Sequence, residues 1–239
     1  METDAFRLGD DRSIPAVTAA EMAEVDRVAV DEVGLQLLQM MENAGRNLAT
    51  HVRGFAGNPV VIVAGNGGNG GGGLACARHL ANRGIPVELL LDRPAGDLTG
   101  AAEIQFGILE SMNIPAVTDP DALCGSRPRT VIDALIGYGL SGQVRGVARD
   151  HIEWLNRQTD TVVSLDVPSG LDATTGDVLG VAVQPDQTVT LALPKTGLTD
   201  VCSDLFLADI AIPAEVYDRV GITPGSPFTD DYIVNIQAY

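Results

Sequence analysis

The chain has 239 residues, 45% of them hydrophobic, and sets 32 Asp and Glu against 15 Lys and Arg for a formal charge of −17. That balance repels phosphate backbones and anionic bilayers, so nucleic acid and membrane surfaces are excluded as partners. Aromatic residues are only 4% of the chain, which leaves Val, Ile, Leu and Ala to build the core and favours a single α/β domain over an all-β sandwich.

The first residues are polar and read as frayed. Thr18-Ala-Ala-Glu21 is a capping box, and Met22, Val25 and Ala29 follow on one helical face. A second helix is predicted to begin near Gly34, with Leu38, Met41, Gly45, Leu48 and Val52 on one stripe. From Pro59 the pattern alternates: strand 59–64, helix 73–83, strand 86–91, helix 99–112, a short strand near 115–117 and strand 130–134. A helix across 146–157, strands at 161–165, 187–191 and 205–211, and an edge strand at 232–236 complete the series. Short connections and apolar strand runs predict a doubly wound, mostly parallel sheet covered on both faces.

Ligands of such sheets sit outside the carboxyl ends of the strands, and three polar constellations fall there. The first is the glycine-dense loop 65–73 after strand 59–64, which opens a helix and so makes an anion site. Gly65-Asn66-Gly67-Gly68-Asn69-Gly70 satisfies G-x-G-x-x-G, and Asp92 ends the next strand where a ribose-binding acid would lie. Asp92 reads equally as a solvated strand-end residue. The second constellation is Asp133 followed by the loop Gly137-Tyr-Gly139-Leu-Ser141-Gly142; Asp133 either accepts hydrogen bonds or coordinates a cation, or simply caps a turn. The third is Asp166-Val-Pro168-Ser169-Gly170, where a carboxylate suits proton transfer or the ordering of a water, with a plain turn as the alternative.

Lys195, the only lysine, lies between Pro194 and Gly197 and reads either as a phosphate-neutralising group or as a surface residue. His51, His79 and His151 lack the spacing of a metal or catalytic pair, and Ser141 and Ser169 lack the strand-elbow context of a nucleophile. Cys76, Cys124 and Cys202 are odd in number without a Cys-x-x-Cys spacing, so they read as small buried thiols. With no signal peptide and no bilayer-spanning run, the expected location is the cytoplasm. An acidic, lysine-poor surface suits a cytoplasm of high salt; unchanged folding and activity between molar and low salt would overturn that expectation.

Taken in order, EMAEVDRVAVDEVG, MMENAGRNLA, VAGNGGNGGGGLACARHL, VIDALIGYGLSG, SLDVPSGLDATTGD, LALPKTGL and LADIAIP resemble the YjeF N-terminal domain family, whose catalytic members are NAD(P)H-hydrate epimerases. The resemblance implies a Rossmann-like three-layer αβα sandwich with a mostly parallel central sheet and additional N-terminal helices. It implies hydrated NADH or NADPH as substrate, interconversion of the R and S epimers, a potassium ion, a homodimer through the N-terminal helices, and a separate hydrate dehydratase that restores the cofactor. Carried over by motif, Asn69, Asp133 and Ser169 are the implied potassium ligands. Gly68, Asn69, Gly70, Gly71 and Gly72, with Gly137, Tyr138, Gly139, Leu140, Ser141, Gly142 and Gln143, are implied to contact the nucleotide, and Asp166 to meet the reacting ring as the proton-handling catalytic group.

Gly68 and Gly72 stand where the family carries Asn and Asp, and a lost hydrogen bond to a charged group costs about 1.5–3 kcal/mol. Two other readings stay open on the residues alone. One is a non-catalytic nucleotide-binding or protein-interaction member of the same fold. The other is an NAD(P)-dependent dehydrogenase that relies on Asp92.

Overall fold

The computed structural model describes residues 3–123, 130–158, 161–225 and 227–239. Against expectation, the polar start is not frayed: β1 (Thr3–Leu8) and β2 (Ser13–Ala16) form an antiparallel pair. Phe6, Leu8 and Ile14 are buried, and it is this apolar burial, spaced between polar residues, that holds the strands down.

Seven strands then run parallel: β3 (Val60–Ala64), β4 (Val87–Leu91), β5 (Ala116–Val117), β6 (Thr130–Ala134), β7 (Thr161–Leu165), β8 (Gln187–Leu191) and β9 (Asp204–Ala208). With β10 (Ile233–Ala238) they make a ten-stranded sheet in the order β2-β1-β10-β9-β8-β7-β6-β3-β4-β5. β10 and β1 extend the β9 edge antiparallel, and β10 is the edge strand expected at 232–236, displaced inward by β1 and β2. The order reverses beside β3, which has β4 on one side and β6 on the other; a crevice opens at such a switch point, at the carboxyl ends of the strands.

Among the described residues six α-helices accompany the sheet: α1 (Ala19–Arg27), α2 (Leu37–Val52), α3 (Gly68–Ala81), α4 (Gly100–Ser111), α5 (Gly146–Leu155) and α6 (Ala214–Arg219). The capping box at Thr18 and Glu21 is formed in both directions, and α1 continues into a π-helical turn, Val28–Val33. On one face of the sheet, Ile62, Leu89, Ile132 and Val163 pack with Leu48 and Val52 of α2, Leu74 and Leu80 of α3, and Phe106 and Leu109 of α4. On the other, Val61, Val63, Leu90 and Val131 pack with Ile152 and Leu155 of α5. The alternation of these strand residues between two cores is the three-layer sandwich expected from their period of two.

The glycine segment needs a correction. A helix was predicted from 73 after a loop at 65–73, yet α3 starts at Gly68. Glycine disfavours a helix interior by roughly 1 kcal/mol each, so tertiary packing carries this turn. A side chain at Gly71 would strike Met41 Sδ at 2.6 Å, and one at Gly73 would meet Ala134 Cβ at 2.4 Å. From the facing helix, a Cβ at Gly45 would meet the Cys76 amide nitrogen at 2.6 Å and the Gly72 carbonyl oxygen at 2.7 Å. The bare backbones of α2 and α3 are thereby in contact.

Cys76 is buried but Cys202 is exposed, contrary to expectation, and Cys124 lies outside the described residues. Among the described residues no helix is long and apolar enough to cross a membrane.

Candidate functional site

At the switch point lies a cavity of about 540 Å³, lined by the start of α3 (Gly67, Gly68, Asn69), the turn after β6 (Leu135 to Gly139), Asp166 after β7, Lys195 after β8, Asp92 after β4, and Met22, Asp26 and Met41 from the N-terminal helices. Of the residues expected to meet the nucleotide, Gly68, Asn69, Gly137, Tyr138, Gly139 and Asp166 are on its wall. Gly70, Gly71 and Gly72 are not. They are turned into the protein, with Gly70 against the Gly65 backbone, Gly71 against Met41 and Gly72 against Leu165 and Ala44. Leu140, Ser141, Gly142 and Gln143 also lie outside the lining, since the turn leads away after Gly139.

Asp166 has a φ of +69°, left-handed for a residue with a side chain. One carboxylate oxygen, Oδ2, accepts the Tyr138 amide N–H at 3.0 Å, and the other forms an ion pair with Lys195 Nζ. Both side chains are almost wholly buried, 4% and 1% exposed. Lys195 is therefore no surface residue. Its ammonium also donates to the Leu191 carbonyl at 2.9 Å and sits 5.7 Å from the centre of the Tyr138 ring. Its peptide neighbours are pinned as well, because Val17 N–H bonds the Pro194 carbonyl and Thr196 N–H bonds the Val17 carbonyl, each at 2.9 Å.

Tyr138 links this pair to a second carboxylate: its hydroxyl donates to Asp26 Oδ2. Burial pushes the Asp26 carboxyl above its ordinary value, opposed by the Tyr138 hydrogen bond and by Lys195. Burial and the neighbouring Asp26 push the Tyr138 phenol up too. The row Asp26, Tyr138, Lys195, Asp166 is thus a connected, water-poor set of acid and base groups along one wall.

Beneath the cavity, Asp133 is fully buried. The parallel register sets it beside Ser164, and four donors converge on it: Ser164 Oγ at 2.8 Å, Ser169 N at 2.9 Å, Ser169 Oγ at 2.5 Å and Leu135 N at 3.2 Å. Burial raises the Asp133 carboxyl and these donors oppose the rise. Ser169 Oγ also accepts the Ile136 N–H at 2.8 Å, which ties the two turns together. Asn69 is different: both its amide atoms are buried and neither has a hydrogen-bond partner among the described residues. A buried amide without partners costs free energy that a bound ligand recovers.

Gly137 sits between the two. A Cβ there would come within 3.0 Å of Asp166 Oδ2 and 3.2 Å of Asn69 Cβ, so a side chain at this position would crowd both groups.

Asp26 and the Lys195 partnership went unread in the sequence. The signal for Asp26 was present, since it shares a helical face with Met22, Val25 and Ala29, and a carboxylate on a buried stripe asks for a partner. His51, His79 and His151 are engaged away from the cavity, with Gln187, Glu42 and the Thr118 carbonyl respectively.

A cavity at the switch point of a doubly wound sheet, with a glycine-rich helix start on one side and buried acids on the other, is the ligand site of an open-sheet α/β protein. Residues 37–197 match the family described as YjeF-related protein N-terminus, and the chain belongs to it. It is 43% identical to the NAD(P)H-hydrate epimerase of Dehalogenimonas lykanthroporepellens, over 98% of this chain and 97% of that one. It is 36% identical to the bifunctional NAD(P)H-hydrate repair enzyme Nnr of Salinibacter ruber, over 88% of this chain but only 43% of that longer protein. In fold it is similar to yeast ynu0, YNL200c, with a TM-score of 0.81 at 24% identity, covering 92% of this chain and 99% of that one.

Proposed function

We propose that this chain is an NAD(P)H-hydrate epimerase, interconverting the R and S epimers of hydrated NADH and NADPH. The observation that carries the reading is the buried Asp166–Lys195 ion pair on the cavity wall, hydrogen-bonded to the Tyr138 backbone. The near-full-length relative bearing that activity in its name supports it.

Epimerisation needs a proton delivered to the ring hydroxyl, which leaves as water with its bonding electrons. A planar cationic ring remains. Water then adds to the opposite face and returns a proton, so atoms and charge balance over the cycle. Asp166 is the group placed to hold and move that proton. Lys195 orients it through the ion pair, and Tyr138 connects it to Asp26, a second carboxyl whose burial favours its protonated form. The apolar side chains of Met22, Met40 and Met41 on the cavity wall lower the local polarity and so strengthen these interactions.

Asn69, Asp133 and Ser169 are the proposed holders of potassium. The orphaned Asn69 amide supports this, and an amide, a carboxylate and a hydroxyl form the all-oxygen donor set that a hard cation prefers. Such an ion would supply positive charge beside the cavity, and Asp133 would give up part of its present serine bonding to hold it. A hydrate dehydratase is the expected companion activity, consistent with the name and greater length of the bifunctional relative.

The deciding experiment incubates pure R or S hydrate with the protein, with and without potassium, and follows the epimer ratio. Epimerisation above the spontaneous rate is expected; a rate equal to background overturns the reading.

A further inference from the structure

The sequence singles out Asp92, and nothing in the proposed epimerisation uses it. The structure puts it on the cavity wall beside Asn66 and Gly67. It directly follows β4, its amide N–H bonded to the Ala64 carbonyl at 3.1 Å, so its position is fixed by the sheet itself. Both carboxylate oxygens are held by one guanidinium, Arg93 Nε on Oδ1 and Nη2 on Oδ2, each at 2.9 Å. The Asp92 side chain is 16% exposed, while Arg93 at 40% reaches into solvent. Asn66 is clamped to the next segment by two bonds, giving its Nδ2 hydrogen to Thr99 Oγ1 at 2.9 Å and receiving the Thr99 N–H at 2.8 Å. The rim around Asp92 is thus built rather than floppy.

Its distance from the reacting end is informative. Asp166 follows β7 and Asp92 follows β4, with β6 and β3 between them. Three strand spacings amount to about 14 Å. The start of α3, with N–H groups that have no acceptor within the helix, stands over β3 in the middle. With the reduced ring at Asp166 and the diphosphate at α3, the other end of a dinucleotide arrives at Asp92. The group there is the adenosine ribose, whose 2′ position is the one place where NADH and NADPH differ.

We propose that Asp92 and Arg93 form a subsite for this second ribose, and that the subsite takes a free 2′-hydroxyl in preference to a 2′-phosphate. The proposal rests on the epimerase reading for the orientation of the substrate. Asp92 retains unused lone pairs that accept ribose hydroxyls, while the two bonds from Arg93 hold the carboxylate aimed. A phosphate in the same place meets a carboxylate whose neighbouring guanidinium already spends its Nε and Nη2 on it. Asp97 acts on Arg93 as well, so the local sum of Asp92, Asp97 and Arg93 is one net negative charge. NADH hydrate is therefore the preferred substrate.

Calorimetric titration of the full chain with ADP-ribose and with its 2′-phosphorylated form tests this without requiring turnover. The parent should bind ADP-ribose about tenfold more tightly, the size of one charged hydrogen bond. Asp92→Asn frees the guanidinium and should erase or invert that preference. Arg93→Gln leaves the carboxylate unneutralised and should widen it, and this variant decides the matter alone if the first does not fold. Equal binding of the two ligands by the parent, no binding of either, or a ratio unmoved by the substitutions overturns the proposal. Epimerisation of both hydrates is measured alongside: turnover with an unmoved binding ratio removes only the subsite, whereas a shifted ratio without turnover removes only the epimerase reading.

Discussion

Lys195→Met removes an ammonium whose side chain is 1% exposed and leaves the 4%-exposed Asp166 carboxylate facing it without a cation. Only the Tyr138 N–H then bonds that carboxylate from the side of the cavity. Breaking a buried pair in this way costs about 3–5 kcal/mol, because one charge stays behind in a medium that solvates it poorly. In a chain of this size each kcal/mol lowers the melting temperature by about 2–4 °C, so a fall of about 6–20 °C is expected. Asp166→Asn should cost a comparable amount, stranding the ammonium instead. The double variant Asp166→Asn/Lys195→Met loses both charges together, and its destabilisation should fall short of the sum of the two single losses by about 1–3 kcal/mol. Thermal and urea unfolding followed by far-ultraviolet circular dichroism reads all four proteins. Epimerisation should drop by about 10²–10⁴-fold in every variant and should not recover in the double variant, since the proton carrier is gone even where stability returns. If Lys195→Met melts within about 2 °C of the parent, or the two losses simply add, the pair is not the buried ionic unit described here.

Gly45→Ala should be among the most damaging small substitutions, costing about 3 kcal/mol, because its methyl meets backbone atoms of α3 rather than a movable side chain; chemical denaturation measures it. Gly137→Ala should leave the melting temperature within a few degrees yet raise KM for the hydrate, since the new methyl occupies the gap between Asn69 and Asp166. Asp26 has its carboxyl raised from an ordinary 3.8 by burial, so the folded chain holds that proton more tightly than the unfolded one. This group's contribution is therefore full below the unfolded value and is lost as pH rises through the folded one. Asp26→Asn should match the parent in melting temperature near pH 3.5 and exceed it at pH 7 by a margin that grows across the interval; a pH-independent difference refutes the assignment. Potassium at millimolar levels should raise the melting temperature above that in lithium, and Asn69→Leu should abolish the difference; an equal response to both ions removes the proposed site.

The parallel half of the fold was legible because its strands announce themselves. Val60 to Ala64 and Thr130 to Ala134 are short apolar runs between turn residues, and both are strands at those positions. The hairpin of β1 and β2 was not, since Phe6, Leu8 and Ile14 are too few and too scattered among charges to register as a period; long-range pairing with β10 makes the strand. The start of α3 was misread for the opposite reason. Six glycines in seven residues from Gly67 to Gly73 speak locally for a loop, and only Met41, Ala44 and Ala134 pressing on them explain a helix. At the site, Asp166 could be singled out from its own turn, whereas Asn69 came only with the family resemblance. Lys195 was noticed but left unassigned, because the carboxylate that completes it stands 29 residues earlier in the chain.

The two bonds from Val17 to the peptides flanking Lys195, together with the pairing of β1 to β10, have a meaning in time as well as in space. In chain order, β1 is made well before its partner β10. During synthesis it waits, with an unpaired edge, until some 230 residues have followed it, and the lysine loop has no anchor at Val17 until that N-terminal segment docks. Such distant contacts slow the final step of folding and leave strand edges exposed to other chains meanwhile. The cavity wall that carries Lys195 is therefore among the last parts of the molecule to become itself, and activity during refolding should lag behind the formation of the parallel sheet.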